Sequence, residues 1–381
     1  MSRAPACAAS LATTILLAAC GVSPPSTSGP PAPPTAASAA APTATATAAA
    51  VASVDAPADP PPPPPPPEPI RARFLSVGDV IFGRRVQQKI DEKGDMEFPF
   101  RPLASLYSEM DFTFANLENP FYSGKKPNVT PPGKRYAVLW SKPDHVKSLV
   151  KYKFTAVNLA NNHAMDQDLS GLQETIKTLE ENGIRHVGTG PDLAAAWKPM
   201  FMEVRGLKIA FVGASFTSKN DMGISRNNHV ARIEDENRLA AACKEARAGS
   251  HFVVVTMHAG DEHKVKPNFR QKEFAKAAVK SCADIVIGAH PHVVQPAVKI
   301  DGKWVFYSLG NFIFDQAAPE NKEAFAVELR LKLPPGAERA EIEKLLIHPV
   351  VIEEHAPTPA DEARAAKILQ TMGVPGRDLV P

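Results

Sequence analysis

The sequence lacks a strong net charge, a run of basic residues and any internal repeat. Its 43 Lys and Arg residues nearly balance 41 Asp and Glu residues, so the chain carries no overall basic field. Binding to nucleic acid would require a basic patch, which the sequence does not show. We therefore expect no nucleic-acid partner.

Cysteine is scarce, with only four residues in 381. Cys7 belongs to an N-terminal signal segment and Cys20 to a predicted lipidation site, which leaves Cys243 and Cys282 for the folded part. Each of these two precedes a predicted strand, and a disulfide between them is permitted outside the cytoplasm. Free cysteine commonly behaves as a small buried hydrophobe, and we expect two buried free thiols here.

The apolar run near the N-terminus is too short to span a bilayer. It covers Ala8–Ala19 behind Arg3, which is typical of a signal segment over residues 1–20. The run ends in Leu17-Ala18-Ala19-Cys20, which resembles a bacterial lipobox, whose cysteine becomes the lipidated first residue of the mature protein. An ordinary cleaved signal with a chance cysteine is the alternative.

Residues 21–70 are dominated by Pro, Ala, Thr and Ser and are predicted to be a disordered linker, because they cannot bury enough apolar surface to fold. Eight consecutive prolines, Pro60–Pro67, predict a polyproline II rod of roughly 25 Å at ~3.1 Å per residue. Anchor, spacer and domain are typical of an envelope protein that is lipid-anchored to a bacterial membrane, with its domain outside the cytoplasm. A ligand for proline-recognising domains is the less favoured alternative.

The folded domain is predicted to cover residues 71–355. Short, apolar, β-branched runs within it predict strands that are buried on both faces. They cover Arg73–Val77, Phe112–Ala115, Phe154–Leu159, Lys208–Gly213, Phe252–Met257, Asp284–Ile287 and Trp304–Ser308, with a later strand over Ile342–Val351. Residues 356–381 are predicted to be a C-terminal tail with a peripheral helix.

Helical patterns lie between these strands. The clearest covers Gly171–Asn182, with Ser170 as the N-cap of a capping box and Gly183 directly after the end. Two further helices are predicted over Glu234–Ala248 and Arg270–Ser281. Strands that alternate with helices predict an α/β fold.

Polar side chains follow the ends of five predicted strands. In chain order these are Asp79, Glu118, Asn162 with His163, His258, and His290 with His292. Because ligands in open α/β sheets bind at the carboxyl ends of strands, we expect these side chains to meet in one site. Imidazole and carboxylate together suit Zn, Fe or Mn. The sequence therefore predicts a transition-metal site.

His290-Pro291-His292 is the strongest part of this pattern. On an extended segment both imidazoles of His-x-His point to the same face, so they can converge on one ion or on two adjacent ions. His263 is an additional histidine that we do not expect to touch the site. Asn311 lies in a segment that suits a tight turn near the site, and we expect it to be structural.

His163, Asp166 and Arg84 are the candidate catalytic residues. The His163 imidazole can protonate a leaving group, and Asp166 can orient that imidazole through its other nitrogen. A polar loop, in which Asn is favoured in turns, is the alternative interpretation of this segment. Arg84 can hold an anionic substrate group through a bidentate contact.

Six separated motifs, in order over residues 71–320, resemble the metallo-dependent phosphatase superfamily and, more closely, its CapA family of poly-gamma-glutamate capsule-synthesis proteins. The motifs are Gly78-Asp79-Val80-Ile81-Phe82-Gly83-Arg84, Ala115-Asn116-Leu117-Glu118-Asn119-Pro120, Asn161-Asn162-His163 with Asp166, His258-Ala259-Gly260 with Glu262, His290-Pro291-His292, and Tyr307-Ser308-Leu309-Gly310-Asn311. The resemblance implies a β-sandwich flanked by helices on both sides, with one or two metal ions at the strand ends. The ligands that it implies are Asp79, Glu118, Asn162, His258, His290 and His292, and the general acid is His163.

The sequence departs from this family pattern at four positions. Ile81 stands where the superfamily has a histidine, which removes one ligand and favours a mononuclear centre or a weak second metal site. Glu118 stands where ordinary phosphatases have the Asp of a Gly-Asp motif. Asp168 replaces a usual glycine, and His263 replaces a usual tyrosine.

Two functions are consistent with these residues. A metal-dependent hydrolase would attack a phosphoester or an amide with a metal-activated water while His163 protonates the leaving group. A non-catalytic assembly component would use the same cleft to bind and guide an anionic γ-linked glutamate polymer, together with other capsule-synthesis proteins. A plain solute-binding lipoprotein would not need the clustered histidines and carboxylates.

The predicted membrane anchor depends on Cys20. Cys20→Ala removes the only thiol at the lipobox position, so it should release the protein from the membrane fraction or block its processing. Fractionation of cells that express each form measures this. A variant that fractionates like the wild-type protein would show that Cys20 is not lipidated.

Overall fold

The computed structural model describes residues 67–124, 138–216 and 227–379. The predicted signal segment, Cys20 and the linker up to residue 66 lie outside these residues. Within the described ranges, no helix is both long and apolar enough to cross a membrane.

Strands alternate with helices along the described chain, as the sequence predicts. The strands are β1 (Ile70–Val80), β2 (Phe112–Leu117), β3 (Phe154–Asn158), β4 (Arg185–Val187), β5 (Met200–Val204), β6 (Leu207–Ser215), β7 (Phe252–His258), β8 (Ile285–Ala289), β9 (Ala297–Ile300), β10 (Lys303–Phe306), β11 (Asn311–Ile313), β12 (Glu323–Leu333), β13 (Glu341–Glu353), β14 (Ala356–Pro359) and β15 (Asp378–Leu379). The helices are α1 (Arg84–Lys93), α2 (Ala104–Ser108), α3 (Val146–Lys151), α4 (Asp168–Glu181), α5 (Leu193–Ala196), α6 (Glu236–Gly249), α7 (Phe269–Ser281) and α8 (Glu362–Met372).

The strands form two sheets in the described part of the chain, one of nine strands and one of six. The larger sheet has the order β14-β13-β12-β1-β2-β3-β4, with β11 paired to β1 and β15 paired to β13. The smaller sheet has the order β5-β6-β7-β8-β10-β9. The pairs β1–β2, β2–β3, β6–β7 and β7–β8 are parallel, so their carboxyl ends share one edge of each sheet.

The two sheets pack face to face around an apolar core. Phe114 of β2 stacks on Phe211 of β6 with ring centroids 4.6 Å apart, and both side chains are buried. The outer face of the larger sheet packs against α1, α2 and α3, and that of the smaller sheet against α6 and α7. The architecture is a β-sandwich flanked by helices on both sides, which confirms the predicted fold class.

The helix predicted over Gly171–Asn182 is present, but its start differs. Helix α4 begins at Asp168 after the N-cap Gln167, and no described side chain caps it. Ser170, the predicted N-cap, lies in the first turn instead and donates a hydrogen bond to the Gln167 carbonyl. The end agrees with the prediction, since Gly183 follows with a φ of 72°, the left-handed conformation that glycine favours.

The residues after position 355, where the sequence predicts a tail with a peripheral helix, contribute two strands and one helix to the structure. Strands β14 and β15 both pair with β13. Helix α8 buries Ile368 and Met372 completely in the core between the sheets. These two side chains are four positions apart and share one helix face, so this face packs on the sheets while the rest of α8 meets solvent.

Cys243 and Cys282 form a disulfide that connects α6 to the residue after α7. The prediction of two free thiols is therefore wrong, although both cysteines are buried as expected. The sequence pattern placed each cysteine near a helix face, but pairing depends on how the two helices lie in space. The disulfide cross-links the helical layer that covers the smaller sheet.

His145 is a buried histidine between α1 and the larger sheet. Its Nε2 lies 2.6 Å from Oε1 of Gln87 on α1, and its ring stacks on Phe82 with centroids 5.1 Å apart. Burial lowers the pKa of His145 to about 4. The folded chain therefore holds this imidazole neutral, whereas the unfolded chain binds a proton at the ordinary pKa of about 6.5.

Acid should destabilise the fold through His145. Above about pH 6.5 both states are neutral at this residue; as the pH falls toward about 4, only the unfolded state gains the proton, so stability is lost. The pKa shift sets an upper limit of about 3 kcal/mol on this loss. We expect His145→Phe, which keeps a stacked ring, to remove this share of the pH dependence in urea unfolding.

Phe112→Leu is the matched control, because it removes a buried ring from the core between the sheets but no titratable group and not the ring that stacks on His145. It should lower the free energy of unfolding by the same amount at neutral and acidic pH. Acid sensitivity in His145→Phe equal to that of the wild-type protein would contradict the assignment.

Candidate metal centre

The candidate site lies where parallel strands of both sheets end. Asp79 of β1 is fully buried and pairs in register with Asn116 of β2 and Asn311 of β11. Its Oδ1 accepts a hydrogen bond from Asn116 Nδ2 at 2.8 Å, and its Oδ2 accepts one from the backbone N–H of His290 at 3.3 Å. This carboxylate is thus bonded to both sheets, because His290 follows β8.

Buried asparagine side chains support this carboxylate. Asn116 Nδ2 also lies 3.1 Å from Nδ1 of His258, and Asn116 Oδ1 accepts from Asn158 Nδ2 at 2.9 Å. Asn161 Nδ2 donates to the Leu117 carbonyl at 2.8 Å. Asparagine is depleted in strands, so its presence in β2 and β3 is a signal for a polar site that the sequence prediction overlooked.

Glu118 is fully buried, and neither of its carboxylate oxygens has a hydrogen-bond partner among the described residues. Its Oε1 lies 3.4 Å from His258 Nε2 and 3.8 Å from His292 Nε2. Burial raises the pKa of this carboxyl, but His292 and His258 lower it more, so the net shift is downward. Because an unpartnered buried carboxylate is costly, these two oxygens fit a bound cation.

His290 and His292 reach the site from a loop, not from the extended segment that the sequence predicts. Both have positive φ angles, 98° and 58°, a conformation that is uncommon for residues other than glycine. His290 Nδ1 lies 3.1 Å from His258 Nε2. His292 Nδ1 lies 3.3 Å from Asp79 Oδ2 and 2.9 Å from Asn311 Oδ1. The two imidazoles converge because this backbone turns both of them inward.

Glu118, His290 and His292 form a group that could hold a metal ion. One ligand atom from each lies within 4.8 Å of the others, and all three residues are buried. His258 is adjacent, and Asn162 Oδ1 lies 2.7 Å from its Nε2. With the carboxylate of β1, the structure brings all six predicted ligands into one buried cluster.

His163 and Asp166 form a buried pair within electrostatic range of this cluster. His163 Nδ1 lies 2.6 Å from Asp166 Oδ2, and that oxygen also accepts from the backbone N–H of Leu139 at 2.6 Å. Burial lowers the pKa of His163, but Asp166 raises it more, so the net shift is upward. The structure places Asp166 where it can orient the imidazole.

Arg84 lies near the site, but its guanidinium already has an ion-pair partner within the protein. Its guanidinium pairs with Asp315 and lies over the Phe314 ring, 5.4 Å from the centroid. The same ring has its centroid 4.8 Å from that of His292. The Arg84 side chain is 34% exposed. A bidentate contact with a substrate anion would therefore compete with Asp315 for the guanidinium.

Two departures from the family pattern have a visible structural basis. Ile81 is fully buried in the apolar cluster on the outer face of the larger sheet, so this position supplies no metal ligand. Asp168 has a φ of 56°, a left-handed conformation that favours glycine and that Asp adopts more readily than most residues. The glycine that is usual there suits the same backbone.

The structure adds neighbours that the sequence prediction did not place in the site. Asn311, which we expected to be structural, contacts His292 Nδ1, and Asn321 Nδ2 donates to the His292 carbonyl at 2.8 Å. His263 lies outside the ligand group but close to it, with its ring centroid 6.2 Å from that of His292. Asn321 lies in a short 3₁₀ turn, Pro319–Lys322, so a search for polar residues at strand ends could not find it.

Sequence comparisons connect the chain to bacterial capsule synthesis. Residues 73–316 match the family described as "Bacterial capsule synthesis protein PGA_cap". The PGA biosynthesis protein CapA of Bacillus subtilis (strain 168) is 31% identical over 297 residues, which cover 78% of this chain and 76% of that protein. The capsule biosynthesis protein CapA of Bacillus anthracis is 31% identical over 294 residues, which cover 75% of this chain and 69% of that protein.

Among solved structures, the calcineurin-like phosphoesterase YfkN from Bacillus subtilis aligns with a TM-score of 0.46 and 15% sequence identity, over 80% of this chain and 97% of that chain. The family match over residues 73–316 includes all the candidate ligands and the His163–Asp166 pair. This chain therefore belongs to the bacterial capsule synthesis protein family PGA_cap.

Proposed function

We propose that this protein is a lipid-anchored envelope protein that acts as a metal-dependent hydrolase in the synthesis of a capsule polymer of the poly-gamma-glutamate type. Its substrate carries a phosphoester or an amide bond. Membership of the PGA_cap family and the name of the Bacillus anthracis relative support a role in capsule synthesis. The name of the Bacillus subtilis relative, PGA biosynthesis protein CapA, supports the polymer class. The observation that carries the proposal is the buried, unpartnered Glu118 carboxylate among histidines.

The donor set fits a divalent transition metal. Glu118, His290 and His292 would hold the ion, and Asp79, His258 and Asn162 are the remaining candidate ligands for one ion or two. Carboxylate and imidazole donors suit Mn, Fe and Zn. When bound, such an ion supplies Lewis-acid polarisation of the scissile group and an activated water.

The His163–Asp166 pair provides the proton for the leaving group. Because Asp166 is bonded to Nδ1 of His163, Nε2 is the nitrogen that donates to the leaving atom. The upward shift in the His163 pKa favours the protonated form that a general acid needs. Arg84, held by Asp315, adds positive charge near the site for an anionic substrate.

Binding without catalysis is the second candidate function, and Ile81 is the observation that favours it. The residue is buried among apolar side chains, so one ligand position of the superfamily is lost. The metal centre would then hold the carboxylates of an anionic polymer during assembly with other capsule-synthesis proteins, without cleaving a bond.

The location outside the cytoplasm is proposed from the Cys20 motif and the proline-rich linker. The Cys243–Cys282 disulfide supports it, since disulfides persist in oxidising compartments and are rare in the cytosol. A domain on a linker would meet the polymer, or its precursor, at the membrane surface.

Metal binding should depend on pH through His292. Burial lowers the pKa of this imidazole, but Glu118 and Asp79 raise it, and the result is about 9. An imidazole must be neutral to coordinate, so one proton competes with the ion below that pH. The apparent Kd for Mn²⁺ should therefore rise about tenfold for each unit that the pH falls below 9. Competition titrations with a chelator at neutral and mildly alkaline pH measure this.

His251→Ala is the matched control for these titrations. His251 directly precedes β7, at the end of the strand opposite to His258, so it lies far from the metal centre. The two ends of this strand are roughly 20 Å apart at ~3.3 Å per residue. The control variant should keep the wild-type affinity and slope. A flat pH profile in the wild-type protein would exclude His292 as a ligand.

The two functional candidates differ in what they require of His163. In a hydrolase, His163→Ala should keep metal and fold but lose activity by about 10²–10⁴-fold, the usual contribution of a general acid. His290→Ala should lose the metal together with function. Elemental analysis and turnover of a panel of phosphodiesters and γ-glutamyl peptides by both variants measure this.

In an assembly component, His163→Ala should support capsule formation as well as the wild-type protein does, while His290→Ala should not. Equal, severe loss of metal in both variants would show that His163 is a ligand and not an acid. Wild-type protein without metal, after growth with Mn, Zn and Fe, would refute the metal centre itself.

A further inference from the structure

His263 is an exposed side chain held in an unfavourable backbone conformation next to the metal centre. Its φ is 62°, and its side chain is 47% exposed. Strained residues of this kind persist only where the surrounding structure holds them, and they cluster at functional sites. Because an exposed imidazole adds little to the core, the strain needs another explanation.

Buried amides hold the loop that carries this residue. The backbone N–H of His263 donates to the Pro291 carbonyl at 2.8 Å, which ties it to the segment between the two site histidines. Gln295 Nε2 donates to the carbonyl of Lys264 at 2.7 Å, and Gln271 Nε2 donates to Gln295 Oε1 at 2.8 Å. Both glutamines are fully buried. The position of an exposed imidazole is thus determined by polar groups of the interior.

Asn321 determines which nitrogen of His263 carries the proton. Asn321 Nδ2 donates to the His292 carbonyl at 2.8 Å and lies 3.0 Å from His263 Nδ1. A carbonyl oxygen can only accept, so the amide must present its NH₂ group to both partners. His263 Nδ1 is therefore the acceptor, and the neutral ring carries its proton on Nε2.

We propose that His263 is a substrate-binding residue that donates a hydrogen bond from Nε2 to an anionic oxygen of the group held at the metal centre. Its ring centroid is 6.2 Å from that of His292, a distance that a substrate group can bridge. The nearest carboxylate, Glu262, has its Oε2 3.9 Å from this nitrogen, beyond hydrogen-bonding distance, and its side chain is 51% exposed. This inference rests on the proposed metal-dependent function and adds a residue that recognises the substrate.

The test uses the full chain loaded with Mn²⁺ and inorganic phosphate as the probe. His263→Phe keeps an aromatic ring but has no donor, whereas His263→Gln keeps an N–H donor at a similar reach. Calorimetric titration should show that the Phe variant binds phosphate about tenfold more weakly or worse, the usual effect of losing a hydrogen bond to a charged group. The Gln variant should regain most of the affinity, and both should keep the wild-type Mn²⁺ content and melting temperature.

A parallel titration with γ-glutamylglutamate distinguishes the source of the anionic oxygen. Weaker binding of phosphate alone in the Phe variant assigns the oxygen to a phosphoester, and weaker binding of the dipeptide assigns it to a carboxylate. His251→Phe is the matched control and should bind both probes as the wild-type protein does.

Three results would overturn the inference while leaving the metal centre intact. They are wild-type affinity for both probes in His263→Phe, equal losses in the Phe and Gln variants, and a wild-type, Mn²⁺-loaded protein that binds neither probe. Loss of Mn²⁺ from His263→Phe would make His263 a ligand and would also overturn it. A wild-type protein that takes up no metal would instead contradict the proposed function, and this result is distinguishable from the four above.

Discussion

Two buried carboxylates, Asp79 and Glu118, impose the constraint on which the rest of the site depends. Removing a carboxylate from water costs several kcal/mol unless it is paired or hydrogen-bonded. Asp79 is satisfied by an amide of the larger sheet and by a backbone N–H after the smaller sheet. The two sheets must therefore keep their relative position for this carboxylate to remain hydrogen-bonded and buried. The packing of the sandwich and the geometry of the site cannot vary independently.

Glu118 differs from Asp79, because nearby charge compensates its carboxylate and hydrogen bonds do not. Its Oε1 lies 3.4 Å from His258 Nε2 and 3.8 Å from His292 Nε2, and neither of its oxygens accepts a hydrogen bond from the described residues. Without metal, the protonated His292 balances its charge, since the pKa of that imidazole lies at about 9. An ion held here would displace that proton and would neutralise the carboxylate in its place. The carboxylate would then be compensated in both states, which accounts for a glutamate at the end of a buried strand.

The parts that the sequence predicts well are those encoded by local pattern. Buried parallel strands appear as short apolar runs, so the ends of β7 and β8 could be predicted to within a residue or two, and the polar residues at those ends could be named as candidate ligands. The alternation of apolar and polar residues over Val327–Leu333 also indicates a strand, yet the prediction did not use it. Asn321, the cysteine pairing and the inward turn of His290 depend on segments far apart in the chain, and no local pattern encodes such distances.

If the proposed metal centre binds its ion, charge balance would favour a single ion before substrate binds. Asp79 and Glu118 together carry two negative charges, which one divalent ion neutralises, and the other donors of the cluster are neutral imidazoles and the Asn162 amide. A second divalent ion would sit in a low-dielectric site with uncompensated positive charge. An anionic substrate brings the missing negative charge, so any second ion would be coupled to the substrate, in the region where His263 presents its donor.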